Sequence, residues 1–281
     1  MKKYVVPLIL SLALLTGCEA LYRLVYNSMN MILLRVINKY VDLNSDQEAA
    51  LRKNIARHLK WHRQTELGRY VETLTGLRGR VAAGLKEEDI AWLRDRFDKH
   101  SASLYNEIAD DTADFLLSLD EKQIDRLDKK FGERLSKMEE ETGKKKEDQL
   151  KESEKSVDRM MDFIYGDLSR RQKDVIALGI RQMDNLDAER LRMLRERQKV
   201  FIDLLREKPE KKKIKEHLAR SFIKPERYYP DYYREPAARR DRQIEEGFLR
   251  FDRELVTPAQ REHAVKQIDM LIEVLRDLQK G

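Results

Sequence analysis

The chain has a single cysteine, Cys18, among 281 residues, so it can close no disulfide within itself in any compartment. Its 6 prolines and 11 glycines are too few for a collagen-like or low-complexity chain. It contains no Gly-rich phosphate loop, no G-x-S-x-G nucleophile elbow and no H-E-x-x-H pair. None of its 5 histidines follows a glutamate by three residues, which removes the Glu-x-x-His pairs of di-iron bundles. Carboxylates are abundant, at 51, and pairs arise by chance at that density, so no glycosidase-type acid and base can be singled out. Enzyme chemistry and cofactors are therefore not expected. The one long apolar run, Tyr4 to Leu15, falls well short of the ~20 residues that a membrane-spanning helix needs.

That run has another use. Lys2 and Lys3 precede it and Leu15-Thr16-Gly17-Cys18 follows it, the order of a basic, an apolar and a cleavage region. Small residues at 16 and 17 suit a narrow peptidase cleft, and the Cys18 thiol is the nucleophile that accepts a diacylglyceryl group. Leu-Thr-Gly-Cys resembles a lipobox, so residues 1–17 are expected to be a signal peptide and residues 18–281 the mature protein, lipidated at Cys18. Each buried methylene contributes about 0.8 kcal/mol, and the two or three acyl chains of a bacterial lipoprotein hold firmly. In Gram-negative sorting, Asp after the cysteine favours retention in the inner membrane. Here the residue is Glu19, and by resemblance to that rule the expected address is the periplasmic face of the outer membrane.

Charged residues make up 38% of the chain, against about 25% in typical globular proteins, a profile of long solvated helices. The expected fold is all-α, an elongated bundle of amphipathic helices. The net charge of +6 includes Lys2 and Lys3 and is otherwise spread over mixed-sign faces. Nucleic acid, which calls for cations clustered on one surface, is not an expected partner.

Four segments share one pattern: Leu43-Asn44-Ser45-Asp46-Gln47, Leu119-Asp120-Glu121-Lys122-Gln123, Leu168-Ser169-Arg170-Arg171-Gln172 and Val256-Thr257-Pro258-Ala259-Gln260. An apolar residue precedes an N-cap type, and Gln follows three places on. This is capping-box spacing: the short side chain accepts from the N3 amide while Gln reaches back to the cap's own N–H. Asn44, Asp120, Ser169 and Thr257 are thus predicted N-caps, with Pro258 at N1, where its missing N–H costs nothing. Stripes at helical spacing follow or precede these starts: Ile90, Leu93, Phe97, Leu104, Ile108 and Phe115, then Ile124, Leu127, Phe131, Leu135 and Met138, then Ile176, Ile180, Met183, Leu191, Leu194, Phe201 and Leu205. They read first as core faces. Thr142-Gly143 should break or bend a helix, marking a subdivision near residues 142–156.

After Cys18, a stripe from Leu21 to Tyr40 is interrupted by Arg23, Asn27, Asn30, Arg35 and Lys39. Packing on the domain is the expectation, with the bilayer surface as the alternative. Pro225, Pro230 and Pro236 interleave with Tyr228, Tyr229, Tyr232 and Tyr233, and this reads as an ordered loop over residues 224–237. The tyrosines either pin that loop to the bundle or form an aromatic surface for a partner. His58 and His62, spaced i, i+4 beside Trp61, form a weak metal candidate, and no metal is expected. His100 continues the Phe97–Leu104 stripe as a core histidine.

Two resemblances follow from these residues. The lipobox, Leu21-Tyr22-Arg23-Leu24-Val25-Tyr26-Asn27, Asp42-Leu43, Gln47 and Trp61-His62-Arg63 resemble a family of Gram-negative lipoproteins of unknown function. The repeated Gln boxes resemble the LTxxQ motif of periplasmic stress proteins of the Spy and CpxP kind, helical dimers that hold unfolded clients or restrain a stress sensor. Only the box at Thr257 carries the motif's Thr, and Val256 there replaces its Leu. The expected function is non-catalytic binding of other envelope proteins, as a helical scaffold or chaperone-like factor. Met138, Met160, Met161 and Met183 offer adaptable apolar surface or else fill the core. The alternative is an envelope hydrolase acting on cell wall or lipid.

Overall fold

A computed structural model describes residues 19–280. Residues 1–17, expected to be a signal peptide, and Cys18 lie outside the described residues. Among those described, the regular structure is helical throughout: α1 (Glu19–Asn27), α2 (Met29–Val41), α3 (Ser45–Trp61), a π-turn (His62–Glu66), α4 (Leu67–Ala83), α5 (Glu87–Leu117), α6 (Glu121–Thr142), α7 (Lys146–Tyr165), α8 (Arg170–Gln182), α9 (Asp187–Arg206), α10 (Lys211–Phe222), a 3-10 turn (Pro225–Tyr228), α11 (Asp231–Glu254) and α12 (Pro258–Lys280). The bundle is elongated. Its longest helix, α5, has 31 residues and is about 46 Å long.

All four predicted caps start helices. Asn44, Asp120 and Ser169 make both arms of the capping box. Thr257 does the same: Gln260 N–H donates to its Oγ1 at 3.2 Å, and its own N–H donates to Gln260 Oε1 at 3.1 Å. The residues ahead of two caps, Leu119 and Leu168, are buried, so each start is fixed both by its polar cap and by an adjacent apolar anchor. The helix predicted to fail at Thr142-Gly143 does end there, and α7 begins at Lys146.

The core is divided. One cluster gathers Val41 from α2, Ala113 and Leu116 from α5, Ile124 and Leu127 from α6, Ile202 and Leu205 from α9, and Ile214 and Leu218 from α10. A second gathers Val81 from α4, Met161 and Tyr165 from α7, Phe251 from α11, and Ala264, Ile268 and Ile272 from α12. The closest helix pair, α4 with α12, continues into a third cluster, where Leu67, Val274 and Leu278 receive Tyr22 from α1.

Two expectations need correction, and one left open between surface and core is divided. The segment 224–237 is not a loop throughout, because α11 begins at Asp231 and carries Tyr232, Tyr233 and Pro236 inside it. Pro236 sits early enough that the helix forfeits only its bond to the Tyr232 carbonyl before continuing as a 24-residue element. The stripe on α5 is core only in its second half. Leu93 and Phe97 are exposed, since the covering helices α3 and α10 pack the part nearer Leu117. The methionines divide likewise: Met161 is core and Met160 is exposed.

Candidate functional site

The four box glutamines do more than cap. Gln47 Nε2 donates to Gln123 Oε1 at 3.0 Å and Gln123 Nε2 to Gln47 Oε1 at 2.6 Å. Each amide also donates to the carbonyl five residues before its partner, Gln47 to Ser118 at 3.2 Å and Gln123 to Asp42 at 3.0 Å. Gln172 and Gln260 repeat the arrangement, bonding each other at 2.8 and 3.1 Å and reaching the carbonyls of Leu255 and Asp167 at 2.9 and 3.0 Å. Each oxygen therefore accepts from a cap N–H and a partner amide, and each nitrogen donates twice. With that capacity met, the burial of Gln47, Gln123 and Gln172 leaves no lost hydrogen bond. The boxes thus clamp helix starts in pairs, α3 to α6 and α8 to α12.

The polar centre with chemical potential lies elsewhere, at the π-turn. Leu67 N–H donates to the His62 carbonyl, five residues back, the extra residue per turn that marks π-bulges and that recurs at functional sites. The bulge places Glu66 at zero exposure. Glu66 Oε1 accepts from Ser103 Oγ at 2.6 Å and Arg69 at 2.7 Å, and Oε2 lies 3.4 Å from His100 Nδ1. His100 Nε2 is hydrogen-bonded to Thr73 Oγ1 at 2.9 Å. Four rings line up beside the carboxylate, Tyr26, His62, Tyr70 and His100, with successive centroids 5.9, 5.4 and 4.8 Å apart. Burial lowers the His62 pKa, opposed by the Glu66 charge, and burial raises those of Tyr70 and Tyr26.

This centre opens to solvent through a cleft of about 460 Å³ lined by Arg69, Glu72, Thr73, Trp92, Arg96, Lys99 and His100. Trp92 forms its wall. The ring lies so close to Gly76 that a Cβ there would meet it at 2.9 Å, and the Arg80 guanidinium sits 3.9 Å from the ring centroid. The cations are largely matched, Arg69 by Glu66 and Lys99 by Asp95 at 2.8 Å. The cleft therefore joins an aromatic wall to a balanced polar rim.

A second fully buried carboxylate, Asp252, sits at the end of α11. Its Oδ1 accepts from Tyr165 Oη at 2.9 Å and Arg261 at 3.2 Å, and its Oδ2 accepts from Leu85 N–H at 3.0 Å and Arg261 at 3.2 Å. Arg261 also donates to the Val81 and Asp252 carbonyls at 2.8 and 3.0 Å. Every lone pair has a donor, so this group bolts α4, α7, α11 and α12 together.

The sequence candidates fall as follows. His58 and His62 do not converge: His58 lies between Glu107 at 2.9 Å and Asp111 at 2.7 Å, while His62 Nδ1 is hydrogen-bonded to Tyr26 Oη at 3.0 Å. Among the described residues no group of three or more His, Cys, Asp or Glu is placed to hold a metal ion. Tyr232 Oη donates to Glu196 at 2.7 Å beneath the Arg192 guanidinium, and Tyr229 and Tyr233 pack edge to face at 5.1 Å. Tyr228 stays exposed under Arg220. Glu66, Ser103, Asp252 and Arg261 escape a reading of the sequence, because such residues are everywhere in it, and His100, read as a core histidine, instead borders the cleft between Glu66 and Thr73.

Fold and site together define an all-helical protein with paired capping boxes and a buried polar centre. The chain belongs to a family described as a family of unknown function (DUF6279), whose model matches residues 39–234. No curated protein and no solved structure matches it. The match takes in the first three boxes, the π-turn and the tyrosine segment, and ends before Asp252 and the box at Thr257.

Proposed function

We propose that the protein is lipid-anchored through Cys18 at the periplasmic face of the outer membrane and binds other envelope proteins without catalysis, as a scaffold or chaperone-like factor. The observation that carries the binding role is apolar surface left uncovered along helix seams. Leu93 and Phe97 on α5 flank Arg94, whose ion pair with Glu245 brings in exposed Ile244 of α11. On the α7–α8 hairpin, the pairs Arg181–Glu154 and Lys173–Asp162 set a register that puts exposed Met160 beside exposed Val175, with exposed Leu178 one turn on. Such patches, rimmed by charge, are the usual mark of an interaction surface. Among the described residues no helix is long and apolar enough to cross a membrane.

Fatty-acid labelling tests the anchor: wild type should be tagged and Cys18→Ala should not. Density-gradient fractionation tests the address, and recovery with the inner membrane would move it. The full lipidated chain in detergent should slow aggregation of an unfolded client or retain a specific envelope protein, and Phe97→Glu with Leu178→Glu should weaken that. Turnover of peptidoglycan or phospholipid, with neither form of binding, would replace this reading with a hydrolase.

A further inference from the structure

The segment after Cys18 is amphipathic on two sides. Its inner side is fastened to the body: Tyr22 is buried against Leu67, Val274 and Leu278, Arg23 pairs with Asp277 at 2.5 Å, Tyr26 is hydrogen-bonded to His62, and Arg63 donates to Asn27 at 3.1 Å. Leu34 and Val41 continue this side into the core. Its outer side is apolar where solvent would favour polar groups. Leu24 is 64% exposed, Met31 56% and Val36 50%, and Arg35 and Lys39 are exposed on the same outer arc of α2. Met31, Arg35 and Lys39 follow each other at i, i+4, which aligns them along one face. One face of the segment thus packs on the body, and the other is left exposed.

Tyr22 is the first described buried side chain, and the helix that leads to it from Glu19 rises only about 4.5 Å. With lipid on Cys18, one residue before α1, a lead of that length is comparable with the ~5–8 Å of headgroups on one leaflet, so the body cannot stand clear of them, and the contacts at Tyr22, Arg23 and Tyr26 tie α1 to the body. We propose, resting on the reading of Cys18 as the lipid site, that the outer face of α1–α2 lies in the headgroup layer of the anchoring bilayer and holds the protein in one orientation. Leu24, Met31 and Val36 would enter the boundary of the acyl region, and Arg35 and Lys39 would meet lipid phosphates, as in interfacial helices. The π-turn centre then sits against the membrane-facing segment, because Tyr26 is part of both.

Since lipid occupies the only native thiol, a second cysteine can be labelled alone. Met31→Cys, Leu24→Cys and, as a control, Leu178→Cys would carry an environment-sensitive dye in the full lipidated chain, reconstituted into vesicles of phosphatidylethanolamine and phosphatidylglycerol. The dye at 24 and 31 should shift to the blue and be shielded several-fold from an aqueous quencher relative to 178. Arg35→Glu with Lys39→Glu should reduce that shielding while the protein stays on the vesicles. Equal quenching at 31 and 178 in vesicle-bound, lipidated protein overturns the orientation and leaves the anchor intact. Absence of fatty acid on Cys18 overturns both. Shielding in the absence of vesicles that grows with protein concentration would assign the face to a second copy, and shielding that needs added envelope protein would assign it to a protein partner; either result overturns the proposal.

Discussion

Asp252 and Glu66 are both carboxylates at zero exposure, yet they are treated in opposite ways. Asp252 meets a guanidinium that is itself mostly buried, a phenol and a backbone amide, so both its oxygens are held by fixed donors. Glu66 meets Arg69, whose side chain is half exposed, then Ser103 and, at longer range, His100. A buried charge is tolerated only when its partners replace water. The first site does so with groups locked in the interior; the second does so with groups that border a cleft. The lesson is that burial alone does not distinguish a bolt from a site, whereas the exposure of the partners does.

The largest test of that contrast is Arg261→Ala. It leaves Asp252 buried without its charge partner, and unfolding by denaturant should show a loss of about 3–5 kcal/mol. The neutral clamps come next. Gln123→Ala strands the Asp42 carbonyl and the Asp120 amide and removes both bonds to Gln47, and should cost about 1–3 kcal/mol, with clear coupling to Gln47→Ala in a double-mutant cycle. Ser103→Ala removes one neutral donor from Glu66 and should fall in the lower part of that range. Arg69→Ala removes a half-exposed guanidinium from the same oxygen, where water from the cleft can take its place, and should cost clearly less than Arg261→Ala. A loss equal to that of Arg261→Ala would erase the contrast.

The smallest expected effect is a pH slope. Burial holds the folded pKa of His62 below its ordinary value of 6.5, so the folded protein resists a proton that the unfolded chain accepts. As pH falls below about 6.5 the unfolded state binds more protons, and this contribution to stability declines until the folded pKa is passed. Above about 6.5 it is constant. Melting temperatures between pH 8 and 5.5 should fall on acidification for wild type and fall less for His62→Gln. An unchanged slope would show that His62 is not the group responsible.

Helix starts were legible at Asn44, Asp120, Ser169 and Thr257 because a cap and its Gln lie three residues apart and act locally. The same spacing was silent about the amide pairs, because Gln47 and Gln123 stand 76 positions apart and Gln172 and Gln260 stand 88 apart. Proline in the tyrosine segment misled for a related reason. Pro236 argues against a helix when judged locally, yet α11 proceeds past it and packs Ala237 and Phe251.

The α5 stripe and the segment after Cys18 mark the same boundary. By itself the sequence determined that Leu93, Phe97, Leu24 and Val36 belong to amphipathic helices, that the chain is all-helical, and where its main helices begin, since periodicity and capping are properties of neighbours along one helix. Only the tertiary structure decided which apolar faces are covered, which glutamines pair and which two of the described carboxylates are sealed from water. Those outcomes depend on which helix comes to lie against which, and a period of 3.6 residues names a face without naming what it meets.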